Sequence, residues 1–134
     1  MHRLTILAAA LVFVAACGPP EDPAIAEGRA LYEANCQVCH GETGLGDGPM
    51  AASLPVQPVS LVEHVAHHPS HEMYRLIADG IPPAMPPHTL SEEQVAVIVG
   101  YLWTFVPEDR VSELREMQRQ IEEMGAPAGG MPGM

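Results

Sequence analysis

The chain has 134 residues, a formal net charge of −11 and no lysine, with six arginines against 17 aspartates and glutamates. So acidic a chain is unsuited to nucleic acid, whose binding rests on basic side chains neutralising phosphates, and it offers no basic face to a membrane. Aromatic residues make up 4%, a thin supply for a small core, which points to a staple or a cofactor in place of large apolar groups.

Residues 1–16 read as an export signal. His2 and Arg3 form a basic start, Leu4 to Val14 is an apolar run interrupted by Thr5, and small residues precede Cys17. The run is too short for the roughly 20 apolar residues of a membrane helix. Val14-Ala15-Ala16-Cys17 resembles the lipobox of bacterial lipoproteins, in which cleavage falls before a cysteine that is then lipidated. The expectation is an exported chain, anchored to a membrane by lipidated Cys17 and facing the periplasm or the outer cell surface. Removal of residues 1–16 leaves 118 residues, one domain in size.

Residues 17–23 contain Pro19, Pro20 and Pro23 and read as a semi-rigid tether. From Ala24 to Gln37 the pattern turns helical, with Ile25, Gly28, Leu31 and Tyr32 on one side. A glycine-rich loop follows from Gly41 to Pro49, and residues 50–69, broken by Pro55, Pro58 and Pro69, read as irregular. Ser70 is the expected N-cap of a short helix, His71 to Asp79, with Gly80 as its stop. Four prolines surround Met85 between Ile81 and Pro87. Ser91 and Gln94 form a capping-box pattern that opens a helix over Glu92 to Phe105, apolar nearly all round and so expected to be mostly buried. Pro107 ends it. Val111, Leu114, Met117, Ile121 and Met124 then mark an amphipathic helix, followed by a flexible Gly/Pro/Met tail. The expected domain spans residues 24–106, with 107–134 as an appendage.

Setting Cys17 aside leaves two cysteines, Cys36 and Cys39, followed at once by His40. Cys36-Gln37-Val38-Cys39-His40 fits c-type haem attachment. Two thiols one helical turn apart reach the two porphyrin vinyl groups, and the adjacent imidazole reaches the iron. A thioredoxin-like pair wants an α/β pattern, and a zinc ribbon wants a second cysteine pair; the sequence has neither. The second axial ligand is expected from Met85, which Pro86 pushes into extended backbone inside a proline-stiffened loop. Met50 and Met73 are rivals, and His88 or a histidine of the His64, His67, His68, His71 cluster is a less favoured alternative. That cluster also has spacings of three and four that suit zinc or copper, but Pro69 breaks a continuous helix through it, so a solvated histidine-rich loop is expected. Met117 and Met124 fit packing better than copper binding.

These segments together resemble a class I cytochrome c over about residues 24 to 106, especially the small monohaem domains attached to terminal oxidases and other respiratory complexes. The likeness runs through Cys36-Gln37-Val38-Cys39-His40-Gly41, Gly44-x-Gly46-Asp47-Gly48-Pro49, Gly80-x-x-x-x-Met85-Pro86 and a closing helix with Tyr101 and Leu102. The resemblance implies an all-α fold, three to four helices around one covalently bound haem c, with the first and last helices crossing at Gly28, Tyr32 and Tyr101. It also implies a backbone carbonyl that accepts a hydrogen bond from the His40 ring, with Pro49 the candidate. The implied function is single-electron transfer between redox partner proteins of the membrane or periplasm, with no small-molecule substrate. The alternative is a haem subunit or sensor whose sixth iron position is open or weakly held.

Overall fold

A computed structural model describes residues 20–124. The expected signal segment 1–16, Cys17 with its lipidation, the first residues of the tether and the tail from Gly125 lie outside the described residues.

Helix α1, Pro23–Asn35, begins inside the expected tether. Asp22 is its N-cap, accepting from the Ala24 N–H at 2.8 Å, and Pro23 enters the first turn, where its missing N–H leaves no bond unmade. The helix stops two residues short of Gln37. Cys36 donates its N–H to the Tyr32 carbonyl at 2.8 Å, then serves as the N-cap of the one-turn helix α2, Gln37–His40.

The stretch expected to be irregular holds a 3₁₀ turn at Ala51–Ser53 and another single turn, α3, Leu61–His64. Helix α4, Ser70–Asp79, starts one residue earlier than the sequence suggests. Pro69, and not Ser70, occupies the cap position, its carbonyl accepting from the N–H groups of Glu72 (2.9 Å) and Met73 (3.1 Å). Helix α5, Glu92–Leu102, opens with the expected capping box: Gln94 N–H to Ser91 Oγ at 3.2 Å and Ser91 N–H to Gln94 Oε1 at 2.9 Å. Its last turn, Trp103–Phe105, tightens to 3₁₀. After Pro107 comes α6, Glu108–Glu123.

The architecture is all-α. Four helices have ten or more residues, α1, α4, α5 and α6, and among the described residues there is no strand beyond an isolated bridge between Ile81 and Met85. No helix of the described residues is long and apolar enough to cross a membrane.

The main packing is α1 on α5. Their backbones touch at Gly28, where a Cβ would lie 2.1 Å from the Val97 carbonyl oxygen and 3.0 Å from Tyr101 Cβ. One turn on, Tyr32 is 1% exposed and meets Tyr101 and Phe105 with ring centroids 5.6 and 5.5 Å away, both tilted to edge-on. Ile98, Leu102, Trp103 and Val106 extend this core to Val62, Val65 and Ala66. Helix α5 is covered on most of its circumference, as expected: Val95, Ile98 and Leu102 are buried, Val97, Val99 and Tyr101 are half-buried, and only Glu92, Glu93 and Ala96 are exposed.

Helix α6 is packed onto that same core. Leu114 is 1% exposed and belongs to the cluster, flanked by Val111 and Met117. Two polar contacts fasten the helix at its sides. The Arg110 guanidinium donates to Glu63 at 2.9 Å, and Arg115 sits 3.8 Å over the Trp103 ring.

Candidate functional site

The turn Cys36–His40 leaves the end of α1 and projects three reactive groups within five residues. Its carbonyls are tied down by the glycine-rich loop that follows. Met50 N–H donates to Val38 at 3.0 Å, Gly48 N–H to Cys39 at 3.2 Å, and Gly46 N–H to His40 at 2.9 Å. The loop doubles back because Gly46 takes φ +80° and lies so close to Pro58 that a Cβ there would fall 2.2 Å from the Pro58 carbonyl oxygen. Leu61 N–H closes it onto the Gly44 carbonyl at 2.7 Å. From the core side, the buried Tyr32 hydroxyl donates to the Gly41 carbonyl at 2.6 Å, and burial raises the pKa of that phenol.

Cys36 and Cys39 are both half-buried and unbridged. Burial first, and the charge of Cys39 second, push the Cys36 thiol up to about 11. A thiol so high is protonated at neutral pH, the reverse of what an attacking thioredoxin-type cysteine needs. The His40 imidazole is pulled below its ordinary value, first by burial, with the Val59 backbone opposing that shift and His88 adding to it. It is therefore held neutral, the form that binds metal. Its Nδ1 is buried with no hydrogen-bond partner.

The second arm of the site runs from Gly80 to His88. Gly80 ends α4 at φ +70°, pressed so tightly against the arm that a Cβ would sit 2.6 Å from the Met85 carbonyl oxygen. Ile81 and Met85 exchange two backbone hydrogen bonds, 2.9 and 2.8 Å, which close residues 82–84 into a tight loop. Met85 is half-buried at the foot of that loop. Its rivals stand differently: Met50 is 46% exposed, and Met73 is packed at 8% exposure inside α4. His88 follows, with Nε2 3.3 Å from the Asn35 carbonyl and Nδ1 buried and unpartnered.

The structure thus brings Cys36, Cys39 and His40 onto one turn and holds Met85 on a separate, hydrogen-bonded arm. Pro49 is exposed. Val59 lies against the glycine-rich loop, its carbonyl oxygen 3.4 Å from where a Cβ of Gly46 would stand; no spacing in the sequence marks this contact, which the doubling-back at Gly46 creates. The histidine cluster is tied locally, His64 Nδ1 to the Ser60 carbonyl at 2.9 Å and His68 to Glu72 at 3.3 Å. Among the described residues no group of three His, Cys, Asp or Glu side chains is placed to hold a metal ion.

The residues present fit a haem. Among the described residues the buried side-chain polar atoms without a partner are His40 Nδ1 and His88 Nδ1, in the two arms of the site, and Ser60 Oγ, next to the Leu61 that closes the glycine-rich loop. With two unbridged thiols one turn apart, a neutral imidazole and a loop-held thioether, they define a c-type cytochrome domain. Residues 23–102 match the family described as cytochrome c oxidase, cbb3-type, subunit III, and the chain belongs to this family of cytochrome c domains. Such a domain implies haem c and haem-based electron transfer. No curated protein matches the chain.

Proposed function

We propose that the protein carries one haem c, attached through thioethers at Cys36 and Cys39, with His40 as proximal and Met85 as sixth ligand. The bound haem supplies a one-electron Fe(III)/Fe(II) couple; the chain supplies its ligands, its dry surroundings and its orientation. The observation that supports this most is the single turn Cys36–His40, where two unbridged thiols, that of Cys36 held protonated by burial, stand beside an imidazole that burial keeps neutral. Met85 is favoured as the sixth ligand because the Ile81–Met85 bonds hold its backbone, so that little ordering is needed to keep the sulfur in place. Thioether ligation raises the potential relative to a second imidazole, and a filled sixth position leaves no open site for a substrate. The protein acts as an electron carrier.

The electrons pass between redox proteins of the membrane or periplasm, with Cys17 as a lipid anchor and residues 17–23 as a short tether. Charge argues for the kind of partner. Around the attachment turn Val38, Leu45, Met50 and Val59 are exposed apolar side chains, bordered by Glu42 and Asp47. No arginine lies between Gly41 and Arg75. Elsewhere Arg29 pairs with Glu21, Arg110 with Glu63, Arg119 with Glu116 and Glu123, and Arg115 covers Trp103. The partner's docking face is therefore basic or apolar, and the tether supplies effective concentration in place of strong affinity.

Purification followed by acid–acetone extraction, spectra of both redox states with and without carbon monoxide, and a redox titration test the reading. Haem should stay with the chain, the ferric spectrum should hold the sulfur-to-iron charge-transfer band, and carbon monoxide should bind poorly. Extractable haem would refute the thioethers. Rapid carbon monoxide binding by the wild type would favour a sensor or subunit with an open sixth position.

A further inference from the structure

His88 lies three residues beyond Met85, at the point where the methionine arm joins the rest of the molecule. Its backbone N–H donates to the Ile77 carbonyl in α4 at 3.1 Å. Its imidazole Nε2 is 3.3 Å from the carbonyl oxygen of Asn35. A carbonyl only accepts, so Nε2 carries the proton in this contact. Asn35 is the last residue of α1 and directly precedes Cys36, and its own side chain is engaged with the Leu31 carbonyl at 2.8 Å. One imidazole therefore joins the arm that bears Met85 to the helix end that bears the thiols.

This bond does what the Ile81–Met85 bridge does not. The bridge closes residues 81–85 on themselves, whereas the hydrogen bonds that tie residues 81–90 to other parts of the described protein both belong to His88. The other ring nitrogen, Nδ1, is buried and unanswered by any protein atom. That buried nitrogen and the bond to the residue before Cys36 put the imidazole beside the cofactor site. A leucine or phenylalanine there would avoid an unpaired buried nitrogen, which ordinarily costs stability.

We propose that His88 is a positioning residue for the axial thioether: its Nε2–H bond to the Asn35 carbonyl latches the Gly80–His88 arm to the end of α1 and keeps Met85 at the sixth position of the iron. The proposal rests on the assignment of Met85 as that ligand.

The test uses the full-length holoprotein as wild type, His88→Phe, His88→Gln, His88→Asn, Met85→Ala and the Met85→Ala, His88→Phe double variant. The readouts are the sulfur-to-iron band of the ferric protein during heating and the rate of carbon monoxide binding to the ferrous protein. His88→Phe keeps the ring but removes the donor, so the band should vanish at a lower temperature. Carbon monoxide binding should speed up about fivefold, the factor that matches loss of one neutral hydrogen bond. His88→Gln places an amide N–H near the position of Nε2 and should restore most of the wild-type behaviour. His88→Asn, whose amide is one carbon shorter, should resemble His88→Phe and serves in its place if the phenylalanine variant does not fold. In the Met85→Ala background His88→Phe should have no further effect on carbon monoxide.

A wild-type band and rate in both His88→Phe and His88→Asn would overturn the latch. So would an equal acceleration with Met85 absent, which would mean general loosening. A wild type without the band, in which Met85→Ala is silent and His88→Phe opens the iron, would overturn both assignments and make His88 the ligand itself. A silent His88→Phe beside a disruptive Met85→Ala would sink the latch alone.

Discussion

The two sides of helix α1 are finished to different degrees. Toward α5 and α6 the chain completes itself: Gly28 meets the Val97 backbone, Tyr32 gives its hydroxyl to Gly41, and Leu114 closes the core at 1% exposure. Toward Cys36–His40 and Gly80–His88 it does not: among the described residues two of the three unpartnered buried side-chain polar atoms, His40 Nδ1 and His88 Nδ1, lie in those segments, and the third is Ser60 Oγ at the start of α3. Native interiors rarely leave such groups unanswered. The difference teaches where the protein ends and its cofactor begins. One side is a scaffold that needs only amino acids, and the other is a half-site that needs haem.

The strongest attempt to break this division is to withhold the cofactor's attachment. Cys36→Ser with Cys39→Ser should leave almost no haem-loaded protein, measured by haem stain after denaturing electrophoresis, because the half-site loses its covalent partner. Normal amounts of stably loaded double variant would mean that the thioethers are dispensable. On the scaffold side the largest effect belongs to Gly28→Val. Its Cβ would collide with a backbone carbonyl of α5, which no side-chain rotation can relieve. The helices must separate, so stability should fall by about 3 kcal/mol in a denaturant titration, well beyond any gain in helix propensity.

Sequence reading served the two sides unequally. The turn Cys36–His40 was legible as a motif because two cysteines and a histidine stand there at a fixed spacing, and the α1–α5 crossing because Gly28, Tyr32 and Tyr101 stand at family positions. The capping box at Ser91 and Gln94 was legible as local hydrogen-bond chemistry. Asp22 with Pro23 is an N-cap followed by a first-turn proline, yet prolines on both sides of it read as tether. Ser70 looked like a cap, but the carbonyl of Pro69 already closes that turn. The approach of Pro58 and Val59 to Gly46 was beyond reach, since it depends on a loop reversal that links residues far apart in sequence. Helix α6 was visible as an amphipathic stripe, whereas its place in the core depends on what Leu114 meets, and periodicity does not report that.

Smaller perturbations sharpen the boundary. Leu114→Ala should lower stability by about 2–3 kcal/mol through the cavity left in the shared core, with the haem spectrum unchanged at temperatures below unfolding. A neutral Leu114→Ala would make α6 an appendage after all. Tyr32→Phe removes only the hydroxyl that joins scaffold to attachment turn, and the Gly41 carbonyl loses a buried donor. About 1 kcal/mol is expected from thermal or chemical unfolding. If the variant also shifts the midpoint potential, the bond tunes the half-site as well as bracing it.

The smallest expected effect concerns acid, and it tests whether the scaffold side carries a weakness of its own. His67 follows the buried pair Val65 and Ala66, and its imidazole is pulled below the ordinary 6.5, by burial first and then by His64 and His68, with Glu63 opposing. The unfolded chain therefore binds more protons at this position than the folded one as the pH drops below the ordinary value. Folding is unaffected above that value, and stability is lost as the pH falls from it toward the lower folded value. His67→Asn should be neutral near pH 8 and should flatten the acid limb of the curve of denaturant midpoint against pH, measured on the holoprotein from about pH 8 to 5. His67 is exposed, so the gain at the acid end will be slight. An unchanged limb in His67→Asn would assign the acid sensitivity to other groups. A wild type that grows more stable on acidification would contradict the sign of the shift itself, because a histidine held neutral by its surroundings can only oppose folding when protons are plentiful.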